Sequence, residues 1–573
     1  MKNATTLWTA ITCAALLCGC GSSDEQLPPS YFHLEMIRIG EVADATAYLH
    51  LEPTPVITLR FSEPPDPATL VANITLHHTG GEVVQLSFTT DKSTLRVEPT
   101  SRLLAFSDYR LEIHNGLRAL SGNRIATGKE YALTTGLDNS DKFPRIPDEE
   151  LLTLVQRHTF RYFWEFAHPV SGMARERSSA DHTVTTGGTG FGVMAMIVAA
   201  ERAFITREEA LQQVRKIVSF LEQKATRYHG AFAHWIHGAT GETIPFSSYD
   251  NGADLVETAL LMQGLLTARQ YFNQSTATEF TLREDITRLW EAVEWDWFQK
   301  EEEQVLYWHW SPNYGWQMNL PITGWNESLI VYLLAAASPT HPISKELYDQ
   351  GWARGGNITN NTTYYGYRLP LGPQQGGPLF FAHYSFLGIR PAGFRDKYAD
   401  YWEQNRNHTL INYRHCVANP NGYYGYGEDC WGLTASDGNE GYSAHSPTND
   451  WGVIAPTAAL ASMPYTPEES MRALRFFYYK LGDRIWTAYG FTDAFNLTER
   501  WFADQQIAIN QGPIILMIEN YRSGLLWELL MNDDEIRQGV SRLEFTHDNP
   551  VVTSDIIRNQ STIMKVTETI ANR

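Results

Sequence analysis

Six stretches of this chain are apolar nearly all the way round a helix, and each follows a loop of glycines, aromatics and polar groups: "TTGGTGFGVMAMIVAA", "SSYDNGADLVETALLMQGLL", "PITGWNESLIVYLLAAA", "GGPLFFAHYSFLGI", "SPTNDWGVIAPTAALASM" and "NQGPIILMIENYRSGLLWELL". A helix apolar on every side has to be buried on every side. Between them run helices with one charged face, such as "DEELLTLVQRHTFRYFWEF", "TREEALQQVRKIVSFLEQKA", "TLREDITRLWEAVEWDWFQ" and "TPEESMRALRFFYYKL". Several open on Thr or Asp with a Glu two or three residues on, as helix N-termini do. Six buried helices alternating with roughly six amphipathic ones predict an (α/α)6 barrel over residues 145–543. Inner helices of such a barrel run parallel, so their N-terminal loops gather at one end. That end is the expected active face.

The chain has 573 residues, more than one ordinary core accommodates. Residues 32–137 read differently from the rest. "VITLRF", "VVQLSF" and "YRLEIH" alternate apolar and polar residues, with turn-forming stretches between them. Period-two alternation of this kind predicts a small antiparallel β-sandwich. The stretch resembles bacterial Ig-like domains of the S-layer type, which implies a spacer or docking module. Ahead of it stand Lys2, an apolar run from Leu7 to Leu17, and "LCGC". This resembles a bacterial lipoprotein signal over residues 1–20, with Cys20 as the lipidated residue. The run is too short to span a bilayer. Residues 21–31 then read as a tether, and 544–573 as a polar C-terminal extension. The expected location is the bacterial cell envelope, lipid-anchored, facing the periplasm or the surface.

Formal net charge is −20, with no Lys/Arg-rich run, so nucleic acid is a poor partner. Of the 17 Trp and 28 Tyr most are accounted for by core packing, and some are expected at a surface or cleft, where flat faces with a polar handle suit a neutral sugar. Cys416 and Cys430 are the cysteines that remain after the signal, and the sequence leaves their pairing open. No His/Cys pair has metal-ligand spacing and no Asp-rich calcium loop occurs, so no cofactor is expected. "GGTGFG" at 187–192 lacks a preceding strand and reads as a tight helix entrance, not a nucleotide loop.

The acids give the chemistry. Asp250, Asp254 and Glu257 fall at i, i+4 and i+7, which predicts three carboxylates on one helix face. Like charges so placed destabilise a helix, but near its N-terminus the dipole favours them. Glu327 opens another buried helix, Asp450 and Asp493 sit in loops at the same end, and Glu519 lies inside the last buried helix, with Arg522 a candidate partner. Tyr249, Trp325, Trp451 and Phe495 stand beside these acids. Glycoside hydrolysis needs two carboxyl groups flanking the scissile bond, one protonated and one ionised.

"TTGGTGFGVMAMIVAAERAFITREEA", "YDNGADLVETALLMQGLL", "GWNESLIVYLLA", "AYGFTDAFN" and "QGPIILMIENYRSGLLW" together resemble the glucoamylase-like family of bacterial (α/α)6 proteins. Among these the chain is most similar to glycoside hydrolase family 144, the β-1,2-glucanases. The resemblance implies a glycosidase acting on β-1,2-glucan or its oligosaccharides, by inversion and without a cofactor. It maps the essential acids onto Asp250, Asp254, Glu257, Glu327 and Asp493. Glu327 is then expected as general acid and Asp493 as base, with the other three binding hydroxyls or relaying a proton. Tyr249, Trp325, Arg175, Trp451, Asp450, Phe495 and Glu519 are expected to bind substrate. "GMARERS" replaces a shorter Asp-Arg turn of relatives, so Arg175 and Arg177 both come into question at the cleft. The loop 422–438 is expected to close one side of it. The alternatives are a hydrolase of another glucan, starch included, and a glycan-binding lipoprotein without catalysis. The chain is expected to be monomeric.

Overall fold

The computed structural model describes residues 30–301 and 303–547. The signal with Cys20, nearly all of the tether and most of the C-terminal extension lie outside them. The chain divides between Asp138 and Asn139 into two units.

The first unit is built from two five-stranded sheets. Within them every pairing is antiparallel except Ala47–Leu51 with Lys129–Thr135. The alternation read from the sequence decides which face is wet. Ile57, Leu59 and Phe61 on one sheet, and Tyr109, Leu111 and Ile113 on the other, all point into one shared core. A short helix, α1 (Pro67–Asn73), is capped by Asp66, whose carboxylate accepts from Ala68 N.

The second unit is helical: α2 (Asp148–Trp164), α3 (Thr186–Glu201), α4 (Arg207–Gln223), α5 (Leu255–Tyr271), α6 (Ala277–Glu291), α7 (Leu329–Ala337), the one-turn α8 (Lys345–Leu347), α9 (Tyr401–Ala418), α10 (Pro456–Leu460), α11 (Pro467–Ile485), α12 (Ala508–Arg522), α13 (Leu525–Met531) and α14 (Asp534–Arg542). The expected apolar helices α3, α5, α7 and α12 are buried along almost their whole length. α3 packs against α5 and α12, α5 against α7, and α12 against α10.

The α3–α5 contact explains the glycines of "GGTGFG". A Cβ on Gly190 would lie 2.3 Å from the Leu260 carbonyl oxygen, and one on Gly264 2.2 Å from that of Gly190. These glycines let two helix backbones touch.

Two of the six stretches depart from expectation. "GGPLFFAHYSFLGI" forms 3-10 turns, Leu379–Ala382 and Tyr384–Phe386, not an α-helix. Gly376 and Gly377 both have positive φ, outside the right-handed helical region, so the chain reaches the apolar part of this stretch in a non-helical conformation. The turns are still tied in on both sides. Ile330 N donates to Ser385 Oγ (3.0 Å), Tyr465 Oη donates to Ala382 O (3.0 Å), and His383 Nε2 lies 2.9 Å from Ser462 Oγ. The fifth stretch yields only the five residues of α10, with Pro456 in its first turn.

Thr206 closes a capping box with Glu209 on α4, and Thr276 caps α6. Cys416 and Cys430 are both buried and both free thiols. No helix among the described residues is long and apolar enough to cross a membrane.

Candidate active site

The N-terminal ends of several inner helices meet around a cavity of about 380 Å³. Thr185 precedes α3, Val256 and Glu257 start α5, Glu327 precedes α7, and Ile507 precedes α12; all line the cavity. Aromatic walls come from Trp235, Phe246, Trp308, Phe380 and Tyr442. A larger hollow of about 670 Å³ on α14 has no aromatic wall.

The acids do not share one helix face. Asp250 lies in a turn before the helix, its carbonyl accepting from Phe246 N (2.9 Å). Asp254 is the N-cap of α5 in an extended conformation, its Oδ1 accepting from Val256 N (3.0 Å) and Glu257 N (2.9 Å). Only Glu257 stands within the helix. The spacing suited a helix, but the cap ends it at Asp254.

Histidines resolve the expected repulsion. His234 Nδ1 lies 2.9 Å from Asp254 Oδ2. His309 Nδ1 lies 3.3 Å from Asp250 Oδ1 and 3.8 Å from Asp254 Oδ2. Burial alone would lower His234, but Glu257, Asp254 and Asp250 outweigh it and push its pKa up to about 9. His309 is raised in the same way, against burial, by Asp254 and Asp250. Burial works against the ionised form of Asp254, yet His309 and His234 hold its pKa below the usual value. The donors of His234, Asp250 and Asp254 lie within 4.8 Å of one another and could hold a metal ion. In this structure Asp254 pairs with His234, and Asp250 faces His309. His234 lines the cavity, so it joins the site, which sequence reading missed. Its "HWIH" context carries no motif; only the fold brings it to Asp254.

Glu257 and Glu327 are the carboxyl groups on the cavity wall besides Glu176. Glu257 Oε2 accepts from Gly187 N (2.7 Å) at the start of α3. Burial raises its pKa, with Asp254 adding and His234 opposing. Glu327 is pushed up to about 7, mainly by burial and further by the charges of Asp254 and Glu257. A carboxyl group so shifted still carries a proton well above the pH at which an ordinary glutamate has lost it.

Asp493 lies behind the wall. It is 2% exposed, and its carboxylate accepts from Asp437 N (2.7 Å) and Asn510 Nδ2 (2.8 Å). The same Asn510 nitrogen donates to the carbonyl of Ala435, a lining residue. Burial pushes Asp493 up to about 7, against those two hydrogen bonds. In front of it Arg177 lines the cavity and pairs with Glu176 (2.8 Å) and Asp437 (3.3 Å).

The other expected substrate contacts lie elsewhere. Arg175 turns away, its guanidinium over Phe166 at 4.5 Å and Nε donating to Asp181 O. Asp450 is locked by His415 Nε2 (2.8 Å) and Tyr426 Oη (2.8 Å). Glu519 pairs bidentately with Arg202, not Arg522, which donates to Gln156. Trp325 and Phe495 are core residues, packed on Phe386 and Phe477. Trp451 and Tyr249 are exposed but outside the cavity lining. From the long loop 422–438 only Ala435 lines the cavity, with Tyr442 just beyond it.

The family model described as "Putative glucoamylase" matches residues 319–534, and that of a bacterial Ig-like domain residues 43–135. A solved structure named as a putative glucoamylase, from Bacteroides uniformis, is 56% identical. The match covers 71% of this chain and 99% of that one, with a TM-score of 0.70. An endo-β-1,2-glucanase from Chitinophaga pinensis, solved with sophorotriose and glucose, is 52% identical over 70% of this chain and 99% of its own, with a TM-score of 0.69. An exo β-1,2-glucooligosaccharide sophorohydrolase from Parabacteroides distasonis is 47% identical over 444 residues, 73% of this chain. The match spans 61% of that relative's length.

Proposed function

The chain belongs to the glucoamylase-like family of these relatives, and from that premise we propose that it is a glycoside hydrolase cleaving β-1,2-linked glucan or its oligosaccharides. The observation that carries the reading is Glu327: a carboxyl group on the cavity wall whose pKa burial pushes up to about 7, near the charge of Asp254 and among aromatic walls. An acid with a pKa near the working pH gives up its proton to a leaving glycosidic oxygen most effectively. Two of the relatives named above, the sophorohydrolase and the endo-β-1,2-glucanase, are named for β-1,2-linked glucans, which supports the substrate class.

The mechanism we propose is a single displacement with inversion. Glu327 protonates the glycosidic oxygen while a carboxylate takes a proton from the attacking water. Asp493 is the proposed base, its pKa of about 7 suited to the task. A second reading gives this role to Glu257, favoured because Glu257 lines the cavity and Asp493 does not. His234 and Asp254 hold the neighbouring charge fixed. We further propose that the helical ring closes as an (α/α)6 toroid, and that residues 1–20 direct a lipid-anchored chain to the cell envelope.

The test is turnover of linear β-1,2-glucan, starch, laminarin and cello-oligosaccharides, with the product anomer read by NMR within the first minutes. Cleavage of β-1,2-glucan alone with the α-anomer first supports the proposal. Early β-anomer sinks inversion, and activity confined to another glucan sinks the substrate. Asp493→Asn and Glu257→Gln then decide the base: only the true base variant loses turnover and regains it with added azide.

A further inference from the structure

Two loops beside the cavity form one rigid projection. The first is the turn 246–252, closed by Phe246 N and Asp250 O; the second is 311–315, closed by Ser311 N to Gly315 O (3.0 Å) and Gly315 N to Ser311 O (2.8 Å). Their feet pair as antiparallel strands, Ala253 with Trp310 and Asp254 with His309. Side chains pin the loops together higher up. Asn251 Nδ2 donates to Asn313 Oδ1 (2.8 Å), and Ser311 Oγ donates to Asn251 Oδ1 (2.5 Å). Ser311 Oγ also accepts from Asn313 N and Tyr314 N. The projection therefore stands on the same strand pair that carries Asp254 and His309.

Its tip is aromatic and wet. Tyr249 is 42% exposed and Tyr314 46%, with ring centroids 5.1 Å apart at 81°. Neither phenol hydroxyl hydrogen-bonds to another described residue. At the base of the turn Phe246 is 49% exposed, lies against His234 with ring centroids 4.2 Å apart and planes tilted by 32°, and lines the cavity. One turn thus carries an aromatic ring at the cavity wall, Phe246, and another at its tip, Tyr249, three residues on. A fold that spends four side-chain hydrogen bonds on holding two exposed rings in place leaves those rings preorganised for a ligand. The apolar C–H face of a pyranose is the ligand that a rigid aromatic edge-and-face pair beside a sugar cavity fits.

We infer that Tyr249 and Tyr314 form a distal subsite that stacks a glucosyl unit of a chain reaching out of the cavity past Phe246. The inference rests on the proposed glucan hydrolase reading and goes beyond it to chain length: the enzyme grips oligosaccharides longer than its cavity holds. Phe246 bounds the cavity, and the tyrosines hold what extends from it.

The experiment compares kcat/KM on β-1,2-gluco-oligosaccharides of graded length for the wild type, Tyr314→Ala, Tyr314→Phe and the double variant Tyr249→Ala/Tyr314→Ala. The expected loss grows with length: about tenfold for the double variant on the longest chains and less than about twofold on the shortest one cleaved, carried by KM, as loss of aromatic stacking dictates. Tyr314→Phe should keep wild-type values, because the ring and not the hydroxyl makes the contact. Wild-type values at every length in the double variant overturn the subsite. An equal loss at all lengths, or a loss in kcat alone, overturns it too, since that marks a structural role. A wild type that neither cleaves nor binds any β-1,2-glucan overturns the glucan hydrolase reading itself.

Discussion

Glu327 illustrates how much one buried proton decides. Its carboxyl ionises near pH 7 in the fold against an ordinary value of 4.5. The folded protein therefore holds a proton that the unfolded chain releases between those values. Stability tied to that proton is complete below about pH 4.5 and is lost as pH rises to about 7, because a charge must then sit in the cavity wall. Glu327→Gln keeps the shape without the charge. Its melting temperature should match the wild type near pH 4.5 and exceed it at pH 8, by an amount on the order of a few kcal/mol of stability. Differential scanning calorimetry at both pH values checks this; a deficit at pH 8 would contradict the buried acid. In the same variant kcat should drop about 10²- to 10⁴-fold, and the wild-type rate should fall above about pH 7 as Glu327 loses its proton. At this scale the sequence disclosed the acids but not their neighbours. Glu257 and Glu327 were found because carboxyls at the start of apolar helices are conspicuous. His234, His309 and the Arg202 partner of Glu519 were not, since each stands on a different element from its acid and only the fold brings them together.

Elements were more legible than residues, and the exceptions have physical causes. Apolar runs bounded by glycines identified α3, α5, α7 and α12, because burial on all sides leaves no polar face to confuse the reading. α9 escaped notice for the opposite reason. Its buried face carries Asn405, His408 and Asn412, which bond to Tyr465, Gly377 O and Leu433 O across the interior. Polar groups that satisfy loop backbone look like a wet face in a sequence. Conversely, residues 379–386 looked helical because they are apolar, yet they form only 3-10 turns after two glycines of positive φ. The α3–α5 crossing yields a sharper test. Gly264→Ala brings a Cβ within 2.2 Å of the Gly190 carbonyl oxygen, so backbone has to move. We expect a loss of about 2–4 kcal/mol in urea unfolding, well outside the range of surface glycine substitutions in helices, which alanine usually stabilises. A neutral or stabilising result would mean that the helices are not so close.

For the whole molecule, period-two alternation over residues 32–137 and helical runs over 145–543 read as two domains, and the chain divides between Asp138 and Asn139. Each unit has its own core, and every cavity residue belongs to the second. Residues 139–547 alone should therefore fold and cleave soluble substrate with kcat/KM within about threefold of the whole chain. A much larger fall, with the circular dichroism of a folded helical protein, would assign the Ig-like unit a part in catalysis. The two thiols of the helical unit add a property of a different kind. Cys416 sits on α9 and Cys430 in the loop after it, both enclosed and unbridged. Folding of this unit thus makes no demand on an oxidising compartment, and a reductant should leave its melting point where it was. The same enclosure turns the pair into a built-in clock: an aromatic disulfide reagent can reach them only when the helices around them open, so the rate at which residues 139–547 release its chromophore reports the lifetime of the closed protein.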